Sequence, residues 1–221
     1  MARAIREAEV LVIGLGRFGG SLAEALVDLG HEVLGVDADP RVVQRFADRL
    51  TYITEADSTD EETMRQLGAG EFRRAVVGIG TDVEASILTT SVLVDLKVPD
   101  IWAKAITIAH GRILDRVGAH HVVFPEHDMG RRVAHLVTQQ MIEFVQLDEG
   151  FALVELKPPR QIVGRSLGDA QVRKRYGITV VCIKPEGGAF TYATQDTVPG
   201  PNDILVVAGE TPRVEGFAEL A

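Results

Sequence analysis

The chain has 221 residues, 46% of them hydrophobic and 25% charged, proportions of an ordinary globular protein that exclude a disordered or fibrous one. Its 23 Lys and Arg against 32 Asp and Glu give a formal charge of -9, split as 15 against 22 in residues 1–144 and 8 against 10 in 145–221, so neither part has the basic excess that nucleic-acid binding demands. No apolar stretch approaches the roughly 18 uninterrupted residues of a membrane span, and the opening MARAIREAE is too charged for a signal peptide, so a cytoplasmic chain is expected.

From Glu9 a short apolar run, a turn or cap and a helically spaced stretch recur in that order, the pattern of parallel strands joined by helices. Strands are predicted at Val10–Ile13, Glu32–Val36, Thr51–Thr54, Ala75–Ile79, Ile101–Ala105 and His121–Phe124. Helices are predicted between them at Gly19–Leu29, Pro40–Leu50, Asp60–Leu67, Val83–Leu96 and Gly111–Val117. The result is an α/β chain with a Rossmann-like, doubly wound parallel sheet over residues 1–127. Asp128–Val145 then reads as one long helix, with Met129, Val133, Leu136, Val137, Met141 and Val145 on a stripe and Arg131, Arg132 and Gln139 off it. That stripe suits either a subunit contact or an ordinary core face. Strands at Phe151–Leu156, Thr179–Lys184 and Ile204–Ala208 make 145–221 a small C-terminal α/β domain, so that 128–144 is a crossover helix between two domains. The single cysteine, Cys182, lies in an apolar run, excludes an internal disulfide and reads as a buried, inert thiol.

Gly14-Leu15-Gly16-Arg17-Phe18-Gly19 follows a predicted strand and opens a predicted helix, the context a nucleotide-binding fingerprint requires. Gly14 suits the tight turn, Gly16 the approach of backbone amides to phosphate and Gly19 close packing of helix on strand, which leaves the positive helix end facing the anion. Asp37 ends the next strand 23 residues after Gly14, near the spacing of a carboxylate that accepts from ribose hydroxyls. Arg17 lies within the turn, where a guanidinium can pair with a terminal phosphate, favouring ATP or ADP over NAD(H). An NAD-dependent enzyme would need a base, yet residues 145–221 contain no histidine, and no His-Glu-x-x-His or paired-cysteine spacing makes a zinc site.

The segments Val12-Ile-Gly-Leu-Gly-Arg-Phe-Gly-Gly-Ser21, Ala85-Ser-Ile-Leu-Thr-Thr90, Ile101-Trp-Ala-Lys-Ala105, Pro125-Glu-His-Asp-Met-Gly130 and Val172-Arg-Lys-Arg-Tyr-Gly177 give the chain a resemblance to a known family. It resembles the regulatory subunits of Ktr/Trk-type potassium transport systems, the RCK (regulator of potassium conductance) proteins. The resemblance implies a non-catalytic, nucleotide-gated ring, commonly an octamer assembled from dimers, held on the inner face of the plasma membrane through a separate membrane potassium-transporting subunit. It carries phosphate binding to Gly14, Gly16, Arg17, Phe18 and Gly19, ribose binding to Asp37, and adenine or ribose-edge contacts to Asp57 and Ser58, with Lys104 and Glu84 beside them. Cyclic di-AMP is the implied second ligand, in a C-terminal groove of Leu167, Arg173 and Tyr176, although the basic run at 173–175 also suits a solvated helix face. Glu126 follows a predicted strand end and suits an oxygen-loving Mg²⁺ or Ca²⁺ beside phosphates, or alternatively a helix N-terminal acid. An NAD-binding oxidoreductase-like enzyme and a regulator of a cation–proton antiporter are the competing readings.

Overall fold

The computed structural model describes residues 9–138 and 141–221. The opening segment 1–8 and Gln139 lie outside the described residues. The chain divides into two compact units between Glu126 and His127.

The first unit is a six-stranded sheet made of β1 (Val10–Ile13), β2 (Val33–Asp37), β3 (Tyr52–Glu55), β4 (Arg74–Val77), β5 (Asp100–Lys104) and β6 (His121–Val123), in the order β3-β2-β1-β4-β5-β6. Every neighbouring pair is parallel. β1, at the centre, is buried at all four positions, as an unbroken apolar run covered on both faces must be. Helices α1 (Arg17–Asp28), α2 (Pro40–Phe46), α3 (Glu61–Gln66), α4 (Val83–Asp95) and α5 (Ile108–Val117) fill the connections. Leu11, Ile13, Leu34 and Val36 pack with Leu93 of α4 and Leu114 of α5 on one face. Val10, Val12 and Val33 pack with Ala23 of α1 and Phe46 of α2 on the other. Asp39, Asp60, Asp82 and Thr107 cap α2 to α5 with side-chain oxygens, whereas Gly16, ahead of α1, makes no side-chain cap.

The second unit takes most of α6 (Pro125–Thr138) together with β7 (Met141–Asp148), β8 (Phe151–Leu156), α7 (Val172–Tyr176), β9 (Thr179–Lys184), β10 (Thr191–Tyr192), β11 (Ile204–Glu210) and α8 (Thr211–Ala218). Its sheet is antiparallel, in the order β10-β9-β11-β8-β7. The predicted helix to Val145 is corrected here, because Met141 and Val145 belong to strand β7. A register shift between Met141 and Glu143 lets Met141 and Phe144, three residues apart, both turn inward, and this bulge imitates helical spacing. The stripe divides accordingly: Leu136 packs against the C-terminal core, while Met129, Val133 and Val137 are exposed. Cys182 is half-buried on β9 rather than buried. Among the described residues no helix is long and apolar enough to cross a membrane.

Candidate functional site

The strand order reverses between β1 and β4, and the loops after these strands part there to leave a cleft of about 480 Å³. Gly14 holds φ at +81°, a conformation that favours glycine, and its N–H donates to the Val36 carbonyl at 2.8 Å. A Cβ on Gly19 would collide with the Gly14 carbonyl oxygen, so α1 can begin against the turn only with glycine there. A Cβ on Gly16 would meet nothing within 4 Å, which leaves this edge of the turn open to the cleft.

Gly14, Gly16, Arg17, Phe18, Asp37, Asp57, Ser58, Lys104 and Glu126 all line the cleft. Gly19 instead lies buried beneath the turn, and Glu84 is exposed on the first turn of α4, where its neighbours Asp82 and Ala85 line the cleft and it does not. Asp37 accepts from the N–H of Leu15 at 2.7 Å and of Asp39 at 2.9 Å. Asp57 accepts from the Thr59 hydroxyl at 2.7 Å and N–H at 2.9 Å, which hold its carboxyl below the usual carboxylate range. The Ser58 hydroxyl is buried and committed to Thr89 of α4 at 2.8 Å.

Lys104 is the last residue of β5 and has a buried side chain. Its ammonium donates to Glu126 Oε1 at 2.5 Å and lies 5.7 Å from the centroid of the Phe18 ring. This hydrogen bond, with a smaller contribution from the Arg17 charge, holds the Glu126 carboxyl below its ordinary range. Among the described residues no group of three His, Cys, Asp or Glu side chains could hold a metal, and no histidine lines the cleft. Sequence reasoning missed Gly78, Gly80, Thr81 and Asp82, which line the cleft after β4. The available signal was a second strand ending in Gly-x-Gly.

In the second unit a groove of about 500 Å³ is lined by Leu167, Gly168, Arg173 and Lys174, together with Gln171, Thr194 and Gln195, which the sequence had not singled out. Tyr176 stands outside that lining and packs edge-on against Phe217 of α8, with ring centroids 5.0 Å apart.

The TrkA-N domain family matches residues 10–125. The chain is 38% identical over 210 residues to Ktr system potassium uptake protein C of Bacillus subtilis (strain 168), covering 95% of each chain. It is 35% identical over 214 residues to Ktr system potassium uptake protein A of the same organism, covering 96% of each. Among solved structures it is similar to the GsuK channel bound to NAD, with 17% identity and a TM-score of 0.66 over 97% of this chain and 39% of that one. The ADP-bound GsuK matches 57% of this chain and 33% of its own, at 17% identity and a TM-score of 0.51. The likeness to GsuK is one of fold. The family match and the identity along nearly the whole chain lead to one conclusion: the chain belongs to the TrkA-N family, alongside the Ktr system potassium uptake proteins A and C.

Proposed function

We propose that this chain is a nucleotide-binding regulatory subunit of a potassium transport system, exchanging ADP and ATP in the cleft over Gly14–Gly19 to control a separate membrane subunit. The observation that carries the reading is the convergence of an uncapped helix start, the Asp37 carboxylate, Arg17 and Lys104 on one cleft at the switch point of the sheet, in a chain whose relatives are potassium uptake proteins. GsuK, with the same fold, is described bound to NAD and to ADP, which supports an adenine nucleotide here without choosing between them. Arg17 favours the nucleotide with a terminal phosphate. The relatives' names speak of transport and not of a reaction, in keeping with a non-catalytic role.

In this reading Asp37 takes the ribose hydroxyls, and Asp57 with its Asp57-Ser58 turn lies at the adenosine edge. Glu126, released from Lys104 when a third phosphate takes the ammonium, holds Mg²⁺ or Ca²⁺ together with phosphate oxygens and a second copy's carboxylate. The chain works in the cytoplasm as dimers assembled into an octameric ring on the inner membrane face. Gating then follows from differential affinity: eight sites, each with about a threefold preference for one conformation, multiply to about the 10⁴-fold bias that moves a two-state equilibrium from 1:99 to 99:1. Cyclic di-AMP in the C-terminal groove is a second input.

The test is potassium uptake in cells stripped of their own uptake systems, with the chain co-expressed beside the membrane subunit encoded next to it. Uptake that requires the chain and is lost in Gly16→Asp, which puts a carboxylate at the phosphate turn, supports the reading. Uptake indifferent to the chain refutes it, and antiport of cations against protons by the neighbouring membrane protein assigns the chain to the antiporter class.

A further inference from the structure

The C-terminal sheet ends on β7 at one side and on β10 at the other, and the two free edges differ. β10 is two residues long and offers little to an incoming strand. β7 has eight residues, carries no proline or lysine, and exposes Ile142, Val145 and Leu147. Its regular pairing with β8 runs over residues 143–146, between two register shifts, and a groove of about 480 Å³ lined by Arg131 and Arg132 of α6 opens beside it. On an end strand alternate N–H and C=O groups point away from the sheet and need partners elsewhere. The Phe144 N–H, within the regular stretch, donates to Glu143 Oε1 at 2.8 Å. The same oxygen accepts from Arg132 Nε at 2.8 Å, and Arg132 Nη2 bonds Glu143 Oε2. Further along, the Gln146 side-chain amide donates to the Asp148 carbonyl at 3.1 Å.

We propose that Glu143, clamped by Arg132, guards the open edge of the C-terminal sheet against the same edge of a second copy. The proposal concerns the second unit alone and goes beyond nucleotide-controlled transport. Strand addition needs outward N–H groups free to meet the carbonyl oxygens of the incoming strand. At Phe144 the donor is already taken, and a carboxylate stands where a carbonyl oxygen would have to come. The bonds from Arg132 and from the Phe144 N–H hold the Glu143 carboxyl below its ordinary range, so the guard stays charged at neutral pH. Composition supplies a second reason. Glu143 is the single charge between Met141 and Leu147, and without it the run is uncharged, mostly β-favouring and free of proline and glycine, the signature of segments that stack on their own copies. The run is also self-complementary. Antiparallel pairing of two copies about a two-fold axis at Val145 puts that residue opposite itself and position 143 opposite Leu147, so an unguarded edge meets apolar side chains. With Glu143 in place the same register presses each carboxylate against a leucine and strips it of solvent, which is disfavoured.

Light scattering and thioflavin T fluorescence of the full chain, followed at neutral pH and well below its melting temperature, test this. The wild type is expected to hold both signals constant over hours, and Glu143→Ala to raise them at least about tenfold, faster at higher concentration. Val145→Lys added to Glu143→Ala puts a charge back on the edge without restoring the bond to Arg132, and is expected to return both signals to the wild-type level. A Glu143→Ala chain as inert as the wild type overturns the proposal. So does growth that the added lysine leaves unchanged, since it then comes from partial unfolding or from another surface. If circular dichroism shows that Glu143→Ala does not fold, Glu143→Gln, which removes the charge with almost no change of shape, decides on the same criterion.

Discussion

The Asp37 carboxylate ties two turns together: its Oδ2 accepts the Leu15 N–H at 2.7 Å and its Oδ1 the Asp39 N–H at 2.9 Å. The end of β2 thereby holds the glycine turn after β1 in shape before any nucleotide arrives. Asp37→Ala removes both acceptors and should lower stability by about 1–3 kcal/mol, the cost of leaving half-buried amides unpaired. Asp37→Asn keeps one oxygen and should cost less. Urea denaturation of the two variants checks the order; variants that unfold at the wild-type midpoint would reduce Asp37 to a ligand contact alone.

Arg17 is exposed on the first turn of α1 and lines the cleft, free to follow the phosphate chain. Arg17→Ala should weaken ATP more than ADP, by roughly 1–3 kcal/mol for a lost charge-assisted contact. Equal losses for the two nucleotides in calorimetry would take Arg17 out of the sensing role.

The bond that depresses the Glu126 pKa also sets a pH dependence. The carboxyl titrates below its ordinary value of 4.5 because Lys104 donates to it, so the folded chain binds this proton less readily than the unfolded chain. The associated stability is present above pH 4.5 and is lost as the pH falls through the depressed folded value. Glu126→Gln cannot titrate, so its melting temperature should fall less steeply than that of the wild type below that point. The difference should be small, because Glu126 is 59% exposed and solvent screens the pair. Parallel acid slopes would show that the bridge does not persist in solution. The same variant should also lose the extra stability that Mg²⁺ or Ca²⁺ confers on the ATP-bound chain, an effect read by melting with and without chelator.

Much of the first unit was legible because its signals are local. β1 is predicted to the residue, and each of α2 to α4 begins within one residue of its predicted start, where Asp39, Asp60 and Asp82 provide caps. Gly14, Gly16 and Asp37 could be read from spacing for the same reason. Gly78 and Gly80 repeat the Gly-x-Gly pattern after a strand, but spacing alone does not bring them to this cleft, because their place in it depends on β4 pairing beside β1, a contact between strands far apart in sequence. Tyr176 likewise stands next to Arg173 and Lys174 in the chain, yet α7 turns it towards Phe217 and away from the groove. The error at Met141–Val145 has another origin: a bulged strand and a helix both bury residues three apart, and only the partner strand β8 distinguishes them.

Phe144 shows what that strand contributes. It is 3% exposed, it stacks on His135 of α6 with ring centroids 3.9 Å apart, and it belongs to the C-terminal core. Phe144→Ala should cost about 3–5 kcal/mol through lost burial and an unfilled cavity. Phe144→Leu should cost markedly less, because most of the apolar volume remains. Denaturant melts of both variants check this, and a cost below about 1 kcal/mol for the alanine would mean that the strand is not anchored in the core.

The groove beside α7 calls for a ligand test on the intact chain, because a fragment starting at residue 145 would cut β7 between Phe144 and Val145 and discard the half that carries its buried residues. Arg173 and Lys174 supply positive charge along a wall whose other members include Leu167, Thr194 and Gln195, an arrangement suited to a phosphate diester with a flat base. Gly168 adds no side chain, and a Cβ there would stand 3.1 Å from the Gln195 carbonyl oxygen, so filling the groove floor with an aliphatic residue would require the backbone at 195 to move. A purine in this groove must therefore rest on the apolar side chains that line it, Leu167, Val172, Ile178, Val180 and Ala193, and forgoes at position 168 an aliphatic contact of about 1.5–3 kcal/mol. The expected result is weak, saturable binding of cyclic di-AMP by the full chain, reduced at least about tenfold in Arg173→Ala while ADP binding in the other unit is retained. Calorimetry with the two ligands in turn reads both sites, and an Arg173→Ala chain that binds cyclic di-AMP as the wild type does would move that ligand out of the groove.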